Sequence, residues 1–497
     1  MDNEQIIEQN RSVLSAYEPT IVWRHFGELA ARPRPSGQEE DVRTYIVGWS
    51  EDHGFKCYRD EIGNLVVHVP GRGAGVEAQT VIIQGHLDMV TEKNSDSQHC
   101  FETDPIALRV LGDRLLASGT TLGADNGIGV SIALGAGEGL FADHPPLELL
   151  FTIDEETGMS GARELESQYL SGRRLINLDA EEEGVLYVGC AGGADSLVTG
   201  TLRREPAQSG DVTVEVRLRG LKGGHSGLDI HLNRGNAIRL LSRALLRLER
   251  DGASWKLIDF QGGSKRNAIP REATARLRVR GEMAAHVPGL LTNYLGELKM
   301  LHVDSEADWS LEFEVDGTDQ SAVIEDADAR RLLGLLYTAP NGVITMSSTI
   351  PGLVESSCNL GVLDMDENEF SVVLCTRSSN AAALALIPDQ IAALAHAHGF
   401  VARQQASYPG WQPDMGSPML AITRQVFSEL AGADPEVTAI HAGLECGLLK
   451  RMLPECDMIS FGPDINNAHS PDEEVRIPSV GVVTRQVEAL LRALCDR

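Results

Sequence analysis

Residues 80–88 read Thr-Val-Ile-Ile-Gln-Gly-His-Leu-Asp. The apolar run Thr80 to Gly85 reads as a strand. Side chains alternate along a strand, so His86 and Asp88, just past its end, face the same way. Asp88 is then placed to accept a hydrogen bond from one ring nitrogen of His86, leaving the other nitrogen free for a metal. The pattern returns three times. Leu147 to Ile153 is followed by Asp154-Glu155-Glu156-Thr157-Gly158, and Arg174 to Leu178 by Asp179. Asp457 to Phe461 leads through Gly462-Pro463 to Ala468-His469-Ser470-Pro471-Asp472-Glu473.

Helical stretches separate these strands. Residues 19–54 predict two helices, with Ser36 as N-cap and Glu39 three positions later. Asn64 to Val69 reads as a further strand. The small, apolar run after Ala124-Asp125-Asn126 suits a buried helix reaching Ala136, and another is expected near Gly161 to Tyr169. Strands alternating with helices predict an α/β catalytic domain with a central, mostly parallel sheet flanked by helices.

From about residue 190 the texture changes. Asp211 to Arg219 and Ala273 to Arg280 alternate as half-exposed strands do, and Gly235 to Leu248 reads as an amphipathic helix between them. A similar mixture recurs from Val343 to Phe400, with a strand near Glu369 to Cys375 and a helix after Asn380. After Pro409-Gly410-Trp411-Gln412-Pro413, a helix (Pro418 to Ala431) and the strand Asp457 to Phe461 resume the first texture. The expected organisation is a catalytic domain in two segments, 1–189 and 405–497, interrupted by a large α+β lid domain over 190–404 that could comprise two α+β units.

A chain of 497 residues, 42% of them hydrophobic, can bury a sizeable core. Its net charge of −29 repels phosphate backbones and anionic lipid, so neither nucleic acid nor membrane is expected as a partner. The polar start Met1-Asp2-Asn3-Glu4-Gln5 does not read as a signal peptide, and no apolar run approaches the ~20 residues of a bilayer span. Eight scattered cysteines without a C-x-x-C pair read as reduced thiols, which makes the cytoplasm the expected compartment.

Each motif has an ordinary explanation by itself. Asp125 could be a helix N-cap, the 154–156 acids a solvated loop, and H-x-D incidental. Their combination is different, because acids and imidazoles recur just past the C-terminal ends of strands, where open α/β sheets build their sites. Imidazole nitrogens and carboxylate oxygens form the ligand set of a hydrolytic zinc site.

These motifs resemble those of the dizinc peptidases. Thr120 to Gly129, Gly189 to Gly193, Gly220 to Gly227, His441 to Gly447 and His469 to Glu473 resemble the aminoacyl-histidine (Xaa-His) dipeptidases more narrowly, from about residue 20 to the C-terminus. The resemblance implies zinc-dependent hydrolysis of dipeptides, Xaa-His substrates such as carnosine included, by attack of a metal-bridging hydroxide on the peptide carbonyl. It implies two Zn2+ per chain, with Co2+ or Mn2+ as substitutes. His86 and Asp179 would bind one ion, Glu156 and His469 the other, and Asp125 would bridge them, followed by a cis Asp125-Asn126 peptide. Glu155 would be the general base and Asp88 the partner of His86. His225, in the inserted domain, would donate to the oxyanion once that domain closes. Asn267 and Arg377 match positions that hold the substrate's C-terminal end, and Gly443 and Glu445 would line the site near its amine. A homodimer is an expectation that no stretch of sequence localises.

A related carboxypeptidase or N-acyl amino acid deacylase would share the metal ligands and differ at the substrate's amino end. A binding protein without activity should lack a ligand or the base, and none is missing here. Gly135-Ala136-Gly137-Glu138-Gly139 ends a helix, whereas a dinucleotide phosphate loop opens one. His25, His53, His396 and His398 have no metal-like setting and read as structural.

Overall fold

The run Val81–His86 is buried at every position, as a strand covered on both faces must be. It lies near the middle of an eight-stranded sheet. The order is Lys56–Arg59, Leu65–Val69, Leu147–Thr152, Val81–His86, Arg174–Asn177, Asp457–Ser460, Val185–Cys190 and Glu436–Ile440. The computed structural model describes residues 2–302, 304–306, 308–317 and 319–496. The four strands from Leu147–Thr152 to Asp457–Ser460 run parallel. Towards the edges, Lys56–Arg59, Leu65–Val69 and Val185–Cys190 pair antiparallel. The sheet is therefore mixed, with its parallel character concentrated in the centre, where the motif-bearing strands lie side by side.

Ala124–Glu138 packs on Val81–His86 and is buried over nearly its whole length. That explains its run of small and apolar residues, since a helix covered on all sides has no polar face. The helix near Gly161 to Tyr169 is reduced to one turn, Ser160–Arg163, and a 3-10 turn, Ser167–Tyr169. The Gly161 carbonyl accepts a hydrogen bond from Asn64 Nδ2 at 2.9 Å. Ser36 is not an N-cap. Its hydroxyl donates to Asp88 Oδ2 at 2.7 Å, and the helix begins at Glu40 with Glu39 at the cap position.

The chain divides into two units. The first comprises 1–189, 413–439 and 445–497, and the second 190–412 and 440–444. The second unit runs past residue 404, because the strand Val401–Tyr408 pairs with Gly192–Thr201 and Cys190 exchanges two backbone hydrogen bonds with Trp411. Its two α+β stretches do not form separate bodies. They share one nine-stranded sheet, in the order Ser310–Asp316, Asp211–Arg219, Ala273–Arg280, Trp255–Gly262, Val354–Met365, Glu369–Ser378, Gly192–Thr201 and Val401–Tyr408, with Gly342–Met346 paired to Val354–Met365. Ala237–Arg250 covers this sheet with an apolar stripe that includes Ile238, Leu241, Leu245 and Leu248, all within a single core.

All eight cysteines are free. Among the described residues no helix is long and apolar enough to cross a membrane.

Ile83 is fully buried at the centre of the first sheet, opposite Leu149 and Ile176 on its two neighbours. Ile83→Ala is expected to cost about 2–5 kcal/mol in urea unfolding of the metal-free protein. An unchanged midpoint would contradict this packing.

Candidate metal centre

The parallel strands deliver their C-terminal residues to one place. His86 closes its strand with its side chain buried. Its Nε2 lies 3.0 Å from Asp125 Oδ1 and 3.2 Å from Asp179 Oδ1. His469 Nε2 repeats the arrangement, 3.3 Å from Asp125 Oδ2 and 3.0 Å from Glu156 Oε2. The two triads thus share Asp125, which gives one oxygen to each. In both, one nitrogen faces two carboxylate oxygens. A single proton on that nitrogen serves only one of them, and Asp179 Oδ1 is left buried without a hydrogen bond. A cation at each triad would meet one nitrogen and two oxygens, a donor set suited to zinc and its neighbours. The ligand atoms of His86, Asp125 and Glu156 all lie within 4.8 Å of one another. The residues fit a metal.

Asp88 organises the approach. Its carboxylate stands 3.3 Å from His86 Nδ1 and accepts hydrogen bonds from Ser36 Oγ and from the backbone N–H groups of Glu155 and Glu156, at 2.7, 3.0 and 3.1 Å. One buried acid therefore orients the imidazole and fixes the loop that carries two neighbouring acids. That loop opens at Asp154 with φ 55°, and His469 has φ 62°. Left-handed backbone in non-glycine residues is retained where the surroundings impose it, often at functional sites. The Asp125-Asn126 peptide is cis.

Arg34 and the polar residues within the strands carried no motif signal, and Gly123 and Asn126 lay inside a motif without an assigned role. Arg34, 3% exposed, donates to the carbonyls of Leu87, Asp88 and Gly123. Gly123 has φ 70°, and a Cβ there would run into the Arg34 guanidinium and Met89. Asn126 Nδ2 donates to the Leu178 carbonyl at 2.6 Å, tying the Asp125 turn to the strand end that bears Asp179. A row of buried polar side chains crosses the four parallel strands. Thr152 and Gln84 donate to Glu445 Oε2 at 2.5 and 2.7 Å, Asn177 donates to Gln84, and Ser460 donates to Asn177. In sequence these polar residues look like interruptions of apolar strands. Only the register shows that they align.

Charge follows the geometry. Burial opposes a charged His86, but Asp179, Asp125 and Asp88 outweigh it and hold the imidazole well above its ordinary range. His469, hydrogen-bonded to Asp125 and Glu156, is pushed up to about 11. Burial raises Glu155 well above the usual carboxylate range; His86 opposes the shift, and Asp179, Glu445 and Glu156 add to it. Burial likewise pushes Glu445 up to about 8.

The other predicted residues belong to the second unit and form their own cluster, with Asn267 at its margin. Arg377, 6% exposed, directs Nε to Ser226 Oγ, Nη1 to Tyr408 OH and Nη2 to His225 Nε2, at 3.4, 3.2 and 3.4 Å. No carboxylate pairs with it among the described residues. His225 Nδ1 accepts the backbone N–H groups of Gly227 and Leu228, which places the ring proton on Nε2. Burial and then Arg377 lower this imidazole to about 4, so it is neutral. Two donors, His225 Nε2–H and Arg377 Nη2, therefore face one another, an arrangement that an anionic acceptor would satisfy. Gly443 lies against the Tyr408 ring, and a Cβ on Gly193 would strike the same ring. Asn267 is exposed and reaches the cluster through its carbonyl, which accepts the Ser226 N–H at 2.8 Å.

Residues 82–494 match the model of peptidase family M20/M25/M40. The chain belongs to this family. As an M20 peptidase it is an enzyme, a metallopeptidase. It is 40% identical over 484 residues to the cytosol non-specific dipeptidase of Escherichia coli strain K12, covering 97% of this chain and 99% of that protein. The crystal structure of aminoacylhistidine dipeptidase from Vibrio alginolyticus superposes with a TM-score of 0.89 at 40% identity, covering 97% and 98% of the two chains. Human carnosine dipeptidase 1, at 13% identity, a TM-score of 0.52 and 99% coverage of both chains, shares the fold.

In the metal-free M20 chain the carboxylates around His86 and His469 favour the protonated imidazoles, and an imidazole that binds a cation must give up the proton on its coordinating nitrogen. Zinc binding is therefore expected to release protons and to tighten as pH rises. Calorimetry in two buffers of different ionisation heat measures the release. Binding without it would contradict these imidazoles as ligands.

Proposed function

We propose that this M20 peptidase hydrolyses dipeptides in the cytoplasm, Xaa-His dipeptides such as carnosine among them, with two zinc ions per chain. The observation that carries the reading is the pair of triads sharing Asp125. His86 and Asp179 would hold one ion and Glu156 and His469 the other, with Asp125 offering an oxygen to each. The names of the two 40%-identical relatives support dipeptide substrates. One is called a non-specific dipeptidase and the other an aminoacylhistidine dipeptidase.

When bound, the two cations acidify water and polarise the scissile carbonyl. The remaining work falls to the chain. Glu155 takes a proton from the attacking water onto its carboxylate and passes it to the leaving amine. Its surroundings favour holding that proton, the property a shuttle needs. Asp88 keeps His86 oriented and the Glu155-Glu156 backbone fixed. In the second unit, Arg377 has no carboxylate partner among the described residues and suits a substrate carboxylate, and neutral His225 is assigned as a donor to the developing oxyanion. Asn267, Gly443 and Glu445 are assigned to the substrate's surroundings.

Turnover of carnosine and other dipeptides, beside their N-acetylated forms, tests the substrate class. Free dipeptides should be hydrolysed faster, and preference for the acetylated forms would favour a deacylase. Glu155→Ala should lower kcat ~10²–10⁴-fold with metal content retained. Unchanged turnover would remove Glu155 as the base. Arg377→Ala should raise KM about tenfold or more, and the penalty should vanish for substrates with an amidated C-terminus. An equal penalty on both substrates would contradict the carboxylate role.

A further inference from the structure

Glu473 is 2% exposed, and its carboxylate accepts four consecutive backbone N–H groups. Oε2 takes Leu122 at 2.7 Å and Gly123 at 3.0 Å, and Oε1 takes Ala124 at 2.8 Å and Asp125 at 3.3 Å. It thereby satisfies buried donors of the turn that precedes the helix, where the backbone at Asp125 and Asn126 is not helical. Gly123 itself has left-handed backbone, φ 70°, and no side chain to reach these donors.

Glu473 also stands four residues after His469 in a tight hairpin. The flanking strands pair Ile465 with Val475 and Asn466 with Glu474. Within the loop, Ser470 Oγ donates to the Asn467 carbonyl and accepts from Asp472 N, and Glu473 N donates to the Ser470 carbonyl. Asn467 and His469 both have left-handed backbone, so the loop has little freedom to reshape if one end moves.

We propose that Glu473 is a positioning residue that joins the His469 hairpin to the Asp125 turn, holding the two at the separation that two-cation binding requires. The proposal rests on the metal reading above. Glu473 touches neither substrate nor reacting atoms; it acts through His469 and Asp125. Arg34 complements it from the other side of the same turn, taking the Gly123 carbonyl while Glu473 takes the amides. Without the clamp, the two triads lose the common frame that lets one carboxylate serve both.

The test compares wild type with Glu473→Gln and Glu473→Asp, each stripped by chelator and reloaded with zinc. Thermal melting is recorded in chelator and in excess zinc, and zinc transfer to a chromogenic chelator is timed. In wild type, zinc should raise the melting temperature clearly. In both variants that rise should shrink, and zinc should transfer about 10–100-fold faster. An equal fall in both conditions with an unchanged transfer rate, or a variant that fails to fold even in excess zinc, would assign Glu473 to the fold alone and overturn the proposal. A wild type with no zinc-dependent rise would instead remove the metal reading beneath it.

Discussion

Carboxylates gathered in one buried place repel one another unless positive charge lies among them, and this constraint organises the first unit. Two like charges 4 Å apart repel by about 4 kcal/mol at an effective dielectric near 20. Asp125, Asp179 and Glu156 meet around two imidazole nitrogens, with Glu155 and Glu445 among the charges felt there. Protonation relieves part of the conflict: the carboxylates push His86 and His469 towards holding a proton, and burial, reinforced by neighbouring acids, does the same for Glu155. Cations relieve it more completely. The fold supplies the rigidity that such crowding demands, with the Asp88 carboxylate, the Arg34 guanidinium and the polar row from Thr152 to Ser460 each fixing backbone or side chains at a strand end.

That rigidity follows from the sheet. A parallel arrangement puts the C-terminal ends of successive strands on one edge, so residues far apart in the chain arrive together without long loops. The antiparallel strands at the margins contribute none of the five proposed ligands. The second unit uses an all-antiparallel sheet for another purpose. There Arg377 lies within a strand, and its guanidinium meets a neutral histidine instead of an acid.

Much of the first sheet was legible because each parallel strand is an apolar run closed by a chemically distinctive residue, as at His86 and Asp179. The acids at 154–156 stood out for the same reason, whereas Asp125, which precedes a helix, drew its proposed role from the resemblance. Ser36 was misread because a serine before Glu39 looks like a cap, whereas a buried carboxylate, Asp88, competes for its hydroxyl. The extent of the second unit was misjudged because strand pairing, which carries Val401–Tyr408 past residue 404, leaves no local mark. Glu473 and the polar row stayed hidden because their meaning lies in partners 93–361 residues away.

The most direct measurement is anomalous diffraction at the zinc edge from crystals grown with zinc. Two peaks on either side of the Asp125 carboxylate are expected, one against His86 and Asp179 and the other against Glu156 and His469. A single peak, or density bound by residues outside these triads, would contradict a shared carboxylate as the centre of the site.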